Sequence, residues 1–252
     1  FDDKVSPGFV WLPARPDTKL LDNDVHLWLA SLHLGASRLD SMRIVLSANE
    51  LERAERFRFD EDRDRFIVGR GLLRKILGHY IGVPPDTIQF CYGPYGKPSL
   101  ANRLLKNKIH FNLSHSQDLA IYIIARNRRV GIDLEYIRPI FEVSQLVERF
   151  FCTEEKVIFR PLSPKEQLEA FYRYWTSKEA YIKARGQGLA LAPDRFGVSI
   201  VPGNRFRLLV MGRTPSETAR WCFCELQPAP GYIATFTVEG ADWSLTCWQC
   251  PE

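Results

Sequence analysis

Two stretches of the chain carry the same order of signals. In "RFIVGRGLLRKILG" (65–78) apolar residues recur at helical spacing up to Gly78. Further on, Leu168, Phe171, Tyr172 and Trp175 follow the i, i+3, i+4, i+7 rule in a run that stops at Gly186. Glycine just past a helix is the expected left-handed stop. A short turn, a Pro-Asp pair (Pro85-Asp86, Pro193-Asp194) and an apolar strand start follow each run; aligning the prolines sets Lys75 over Lys183. Segments of period two come next. They are "KIHFNLS", "LAIYIIA" and "VGIDLEYI" in the first half, and "RFRLLVM", "WCFCEL", "YIATFTVE" and "WSLTCW" in the second. Alternation of this kind predicts antiparallel sheets with one face covered by a helix. The chain is therefore expected to be an α+β protein of two pseudo-symmetric halves, each a helix packed on a mainly antiparallel sheet. The halves are 1–130 and 131–252, divided within 126–140, and the cleft between them is the expected ligand site. Residues 136–165 form an insertion with a helix over "FEVSQLVERFF" and a Pro-containing loop, "PLSPKEQLEA", leading to the second long helix.

Composition narrows the class. The 252 residues are 45% hydrophobic and 25% charged, ordinary for a soluble globular protein. No apolar run approaches the ~20 residues of a membrane span, and "FDDKVSPGFVWLP" lacks the basic-then-apolar layout of a secretion signal. The net charge of +4 hides a basic stretch over 50–80, where acids alternate with arginines; that is a solvated helix face and argues against a nucleic-acid stripe. Six cysteines in a chain this long do not make a disulfide scaffold, and "CFC" and "CWQC" sit in strand-like segments without a zinc-knuckle loop. Reduced thiols and a cytoplasmic location are expected.

The chemistry starts in "VGIDLEYI" (130–137). Val130, Ile132 and Leu134 point one way; Gly131, Asp133 and Glu135 point the other. A glycine beside two acids lets something approach the backbone closely. On the second helix, eleven residues beyond Leu168 along the apolar stripe is Glu179, with Lys183 one turn further. An exposed Glu179–Lys183 pair would contribute only tenths of a kcal/mol and would not explain an acid in line with the core face. Buried carboxylates need a cation or several donors. Three of them from two elements suit a hard ion such as Mg²⁺, although a lone D-x-E is a common accident.

Several motifs in register raise the specificity. "GIDLE", "FFCTEE" and "WTSKEAYIKARGQGL" are joined upstream by "RDRFIVGRGLLR", Gly96-Lys97-Pro98 and "NLSHS" (112–116). Together they resemble the signature of the Sfp-type 4'-phosphopantetheinyl transferases over about residues 45–200. The resemblance implies transfer of the 4'-phosphopantetheine arm of coenzyme A to a serine of an apo acyl or peptidyl carrier protein, with release of 3',5'-ADP. It implies Asp133, Glu135 and Glu179 as Mg²⁺ ligands, Lys183 as a pyrophosphate contact, and Glu155 as general base. Glu154 is the alternative if the register slips by one, and a water on the metal is the alternative to both. Ser114 and His115 match contacts to the 3'-phosphate of coenzyme A, Arg53 and Arg65 match basic groups on its nucleotide end, and Lys97, in a Gly-Pro-flanked loop, can offer coenzyme A a mobile charge beside backbone N–H groups.

Carrier docking would use basic and apolar groups near the cleft, with Arg149, Phe150 and Phe151 as candidates; the plainer account makes at least one of these phenylalanines core. A monomer is expected, with no nucleic-acid or membrane partner. The competing readings are a coenzyme A-binding module without activity and a Mg²⁺-dependent phosphohydrolase.

Overall fold

The computed structural model describes residues 9–15, 17–33, 35–101, 108–201, 205–209 and 215–251. The terminal segment 1–8 and the last two residues of the strand expected over 205–211 lie outside the described residues. In chain order the strands are β1 (Trp11–Pro13), β2 (Asp24–Ser31), β3 (Phe90–Tyr92), β4 (Pro98–Leu100), β5 (Ile109–Ser116), β6 (Leu119–Arg126), β7 (Val130–Tyr136), β8 (Gly197–Val201), β9 (Arg205–Leu209), β10 (Trp221–Leu226), β11 (Tyr232–Glu239) and β12 (Ser244–Gln249). The helices are α1 (Ala36–Arg43), α2 (Ala48–Ala54), α3 (Asp60–Ile81), α4 (Val143–Phe150), α5 (Thr153–Phe159), α6 (Pro164–Arg185) and α7 (Pro215–Ala219).

Two five-stranded sheets result, in the orders β1-β12-β2-β6-β5 and β7-β11-β10-β9-β8, and β3 and β4 pair as a separate two-stranded hairpin. Each large sheet carries one long helix, so the expected α+β pair of helix-and-sheet halves is what the chain forms. Alternation in the strands explains the layering. On β2 and β6, Trp28, Ala30, Tyr122 and Ile124 pack with Ile67, Leu73 and Leu77 of α3. Their neighbours Val25, Leu27, Ile121 and Ile123 turn inward onto Ile132, Leu134, Ala234 and Phe236 of the other sheet. That sheet's outer face, with Phe223 and Ile233, takes Phe171, Tyr174 and Tyr181 of α6. The order is helix, sheet, sheet, helix.

Two details differ from expectation. "WSLTCW" was expected to join the second half's sheet, but β12 runs parallel to β2 in the first sheet, with Leu245 beside Val25 and Trp248 beside Trp28. Its inward Cys247 then fills the core between the sheets while Trp248 packs with the α3 layer, so one strand serves both cores. The first long helix also does not stop at Gly78. It continues to Ile81 and is capped by Gly82 at φ +73°, whose N–H bonds the carbonyl of Gly78. Gly78 instead makes room for the returning chain: a Cβ there would lie 2.8 Å from the Val83 carbonyl oxygen. The Pro-Asp pairs do match, both as 3₁₀ turns (Pro85–Thr87 and Pro193–Arg195).

Gly131 shows what approaches the "GIDLE" strand. A Cβ at this position would stand 2.0 Å from the Ala180 carbonyl oxygen and 2.5 Å from the Ala184 amide nitrogen, both backbone atoms of α6. Neither can rotate away, so α6 rests directly on β7 only because residue 131 has no side chain. Gly131→Ala is expected to cost about 2–3 kcal/mol by overpacking. Denaturant unfolding checks this; an unchanged midpoint would mean the helix shifts freely.

Candidate active site

The site lies where the edges of the two sheets meet. β5 and β7 do not pair as a ladder; side chains of β5 bond the β7 backbone. Asn112 Oδ1 accepts from the Ile132 N–H at 2.9 Å, and Ser116 Oγ accepts from the Tyr136 N–H at 3.0 Å. Asn112, Ser114 and Ser116 alternate, so all three project to one side of β5. That alternation was visible in "NLSHS", yet Asn112 and Ser116 were not singled out from sequence.

Ser114 Oγ and Lys183 Nζ both donate to Asp133 Oδ1, at 3.0 and 2.6 Å, and Lys183 Nζ also donates to Ser114 Oγ at 3.0 Å. Asp133 is buried, and its second oxygen, Oδ2, is a buried acceptor with no hydrogen-bond partner. Ser116 Oγ donates to Glu135 Oε2 at 3.3 Å. Burial, followed by repulsion from Asp133, pushes the Glu135 carboxyl above its usual range; the same two causes raise Glu179, and Lys183 counteracts in both. Asp133, Glu135, Glu179, Lys183 and Ser114 thus form one electrostatic neighbourhood assembled from β5, β7 and α6. Among the described residues the carboxylates do not close into a ready cage of three or more ligands. The Lys183 ammonium stands against Oδ1 of Asp133 and leaves Oδ2 open.

The remaining expected residues scatter. His115 lies on the far side of β5 and is exposed; desolvation lowers its pKa first, with help from Lys183 and Arg65. Arg65 is held by the turn after β5, with Nε and Nη2 donating to Asp118 Oδ1 at 3.2 and 2.9 Å. Arg53 lies over the Phe66 ring at 5.2 Å, away from the acids' seam and on the surface of α2. Lys97 stands at the C-terminal end of α6, where its ammonium donates to the Lys183, Ala184 and Val130 carbonyls. Burial, then Arg129 and Lys183, lowers its pKa to about 8.

Glu155 is enclosed. Expected as a general base, it is only 1% exposed. Its Oε2 accepts from the Cys152 N–H at 2.9 Å as the N3 partner of a capping box, and its Oε1 accepts from the Val198 N–H at 2.8 Å. It also pairs with the fully buried Lys178 at 2.8 Å. A carboxylate so enclosed braces α5, α6 and β8, and in this arrangement it does not face solvent. Glu154 is the exposed member of the pair. Lys178 belongs to the "WTSKEAYIKARGQGL" motif, but a lysine in a helix is ordinarily exposed, so the sequence does not reveal its burial. Of the docking candidates, Phe151 is core, stacked 5.8 Å from Phe171, whereas Phe150 is half-buried against Trp175 with Arg149 over its outer face.

Comparison with known proteins settles the family. Residues 129–237 match the 4'-phosphopantetheinyl transferase superfamily, and residues 36–127 match the 4'-phosphopantetheinyl transferase N-terminal family. The 4'-phosphopantetheinyl transferase HetI of Nostoc sp. is 40% identical over 245 residues, covering 95% of this chain and 98% of that protein. The chain belongs to the 4'-phosphopantetheinyl transferase superfamily. The 4'-phosphopantetheinyl transferase ffp of Bacillus subtilis is 32% identical over 219 residues, covering 87% of this chain and 89% of its own. A solved Chronobacterium ammoniagenes ACPS-CoA complex aligns over 45% of this chain and 96% of that chain, with a TM-score of 0.35 and 18% identity. The protein is accordingly a phosphopantetheinyl transferase enzyme. The two family matches meet between residues 127 and 129, at the turn before β7. Among the described residues no helix is long and apolar enough to cross a membrane.

Proposed function

We propose that this enzyme transfers the 4'-phosphopantetheine arm of coenzyme A to a serine hydroxyl of an apo acyl or peptidyl carrier protein, depends on Mg²⁺, and releases 3',5'-ADP. The observation that carries the reading is the buried Asp133. One of its oxygens takes Lys183 and Ser114, and the other is left without a partner. An unpartnered buried carboxylate oxygen beside two more acids is a donor set suited to a hard divalent cation. Asp133, Glu135 and Glu179 would hold it. When bound, the ion would neutralise charge on the pyrophosphate as the leaving group departs.

The chain's own residues do the rest. The serine oxygen attacks the phosphorus that bears the pantetheine arm; a new O–P bond forms and the bond to the 3',5'-ADP oxygen breaks. Lys183, 28% exposed and one helical turn from Glu179, can swing its ammonium from Asp133 to the departing phosphate. His115, on the exposed side of β5, would face the 3'-phosphate with Arg65 near it, whereas Ser114, held by Asp133 and Lys183, stays on the acids' side of the strand. The serine proton leaves to water at the open rim or to Glu154, since Glu155 is sealed against Lys178. A cytoplasmic monomer working on a free carrier fits this reading.

Incubating the protein with coenzyme A, Mg²⁺ and an apo carrier, then weighing the carrier, tests it. The expected result is a gain of about 340 Da on the carrier, the mass of the added arm, with one 3',5'-ADP released per arm. Release of 3',5'-ADP without a mass gain would favour hydrolysis. Coenzyme A binding with neither product would leave a binding module.

A further inference from the structure

The loop between β3 and β4 belongs to the first half of the molecule but ends on the second. Its frame is fixed: the Gly93 N–H bonds the Lys97 carbonyl at 3.0 Å, the Gly96 N–H bonds Gly93 at 2.9 Å, and Gly96 takes φ +78°. The hairpin is tied to α3 by Arg70, whose guanidinium sits 4.1 Å from the centre of the Phe90 ring and donates to the Tyr92 hydroxyl. From this anchored hairpin Lys97 reaches across the seam. Its Nζ donates at 2.5 Å to the Lys183 carbonyl and at 3.3 Å to the carbonyls of Ala184 and Val130. Tyr95 rests on the turn that follows α6, where a Cβ on Gly188 would come within 2.7 Å of it.

The last four carbonyls of a helix lack partners inside it, and a cation at that end is favoured by the helix dipole. At the end of α6 the Gly186 N–H serves Ile182 and Lys183, and Lys97 serves Lys183 and Ala184. The third acceptor, Val130, begins the strand that bears Asp133 three residues later. One ammonium therefore joins the backbone of Lys183 to the start of the Asp133 strand. All three of its hydrogen bonds go to these backbone carbonyls.

We propose that Lys97 is a positioning residue: by clasping the last turn of α6 to the start of β7, it sets where the Lys183 side chain stands relative to Asp133. This rests on the transferase reading of that pair, and it differs from the direct coenzyme A contact expected of Lys97 from the sequence. Lys97→Met keeps the apolar stem and removes the donors. It is expected to lower kcat for transfer about tenfold or more, because loss of register at reacting groups is expensive, while KM for coenzyme A changes less than about twofold. Rates are taken per folded molecule, with unfolding followed in parallel. Hydrogen exchange over residues 183–188 should quicken, and Tyr95→Ala, which loosens the loop without touching the ammonium, should move both readouts less in the same direction. A raised KM for coenzyme A with kcat intact would overturn the proposal and make Lys97 a substrate contact. Unchanged kcat and unchanged exchange would overturn it as well. If the wild-type protein transfers nothing, the transferase reading fails on its own, and the exchange measurement still decides whether the clasp exists.

Discussion

Asp133→Ala is expected to lower phosphopantetheine transfer by about 10²–10³-fold, the usual scale for losing one preorganised electrostatic group at a reacting centre, while the protein stays folded. Activity should fall because Asp133 is the hub of the site: it fixes the Lys183 ammonium at 2.6 Å and the Ser114 hydroxyl at 3.0 Å, and it holds the unpartnered oxygen. The fold should survive because Lys183 is 28% exposed and can return its charge to water. The sign of the stability change follows from the neighbours. Glu135 and Glu179 have carboxyl pKa values raised by burial first and by Asp133 second. An acid with a raised folded pKa binds its proton more tightly folded than unfolded. It therefore favours folding at low pH and opposes it once pH passes the folded value. Taking Asp133 away relieves part of that opposition at neutral pH, so the variant's Tm without Mg²⁺ should match or exceed that of the wild type. Mg²⁺ should then raise the wild-type Tm, as any ligand of the folded state does, and leave Asp133→Ala nearly unmoved. Transfer by Asp133→Ala at the wild-type rate and limiting Mg²⁺ would remove Asp133 from the site. A collapse of Tm would make it a structural residue.

The sheet-and-helix plan was legible because periodicity depends on local burial. β5, β6 and β7 form where read, although β6 and most of β7 are buried on both faces rather than one, and α6 ends at Gly186 with φ +65°. The placement of β12 was not legible, since alternation says which side of a strand is apolar but not which neighbour it pairs with. Gly78 misled for a related reason: a glycine can stop a helix or admit a neighbouring backbone, and the nearby Gly82 took the first task. At the site, the acids of "GIDLE" and Glu179 came together because a two-residue period and a helical stripe each fix a direction. Lys97 and Glu155 meet partners that their motifs do not reveal. A motif records which side chain is needed, whereas the partners it meets come from elements distant in sequence: the α6 carbonyls for Lys97, Lys178 and Val198 for Glu155.

That last pair carries the largest expected effect on stability. Lys178 is wholly buried and makes three contacts: Glu155 at 2.8 Å and the carbonyls of Pro193 and Phe196 at 2.8 and 2.6 Å. The Phe196 ring lies 4.7 Å from its ammonium. Burial lowers its pKa, and Glu155 acts against that. Breaking such a pair from one side leaves an uncompensated buried charge, at a cost of about 3–5 kcal/mol. Lys178→Met is therefore expected to lower Tm by about 6–20 °C at this chain length. The double variant Lys178→Met with Glu155→Gln removes both charges and should regain a sizeable part of the loss, giving a coupling free energy of at least about 1 kcal/mol in a double-mutant cycle. Denaturant unfolding of the four proteins measures it. Additive single losses would show that the charges do not depend on each other. The same set separates brace from base. If Glu155 only holds α5 and β8 to α6, Glu155→Gln retains transfer per folded molecule to within a few-fold, whereas loss of a general base would cost about 10²-fold or more. A 10²-fold fall in kcat with stability intact would return Glu155 to the catalytic machinery and require the α5 segment to open when the carrier docks.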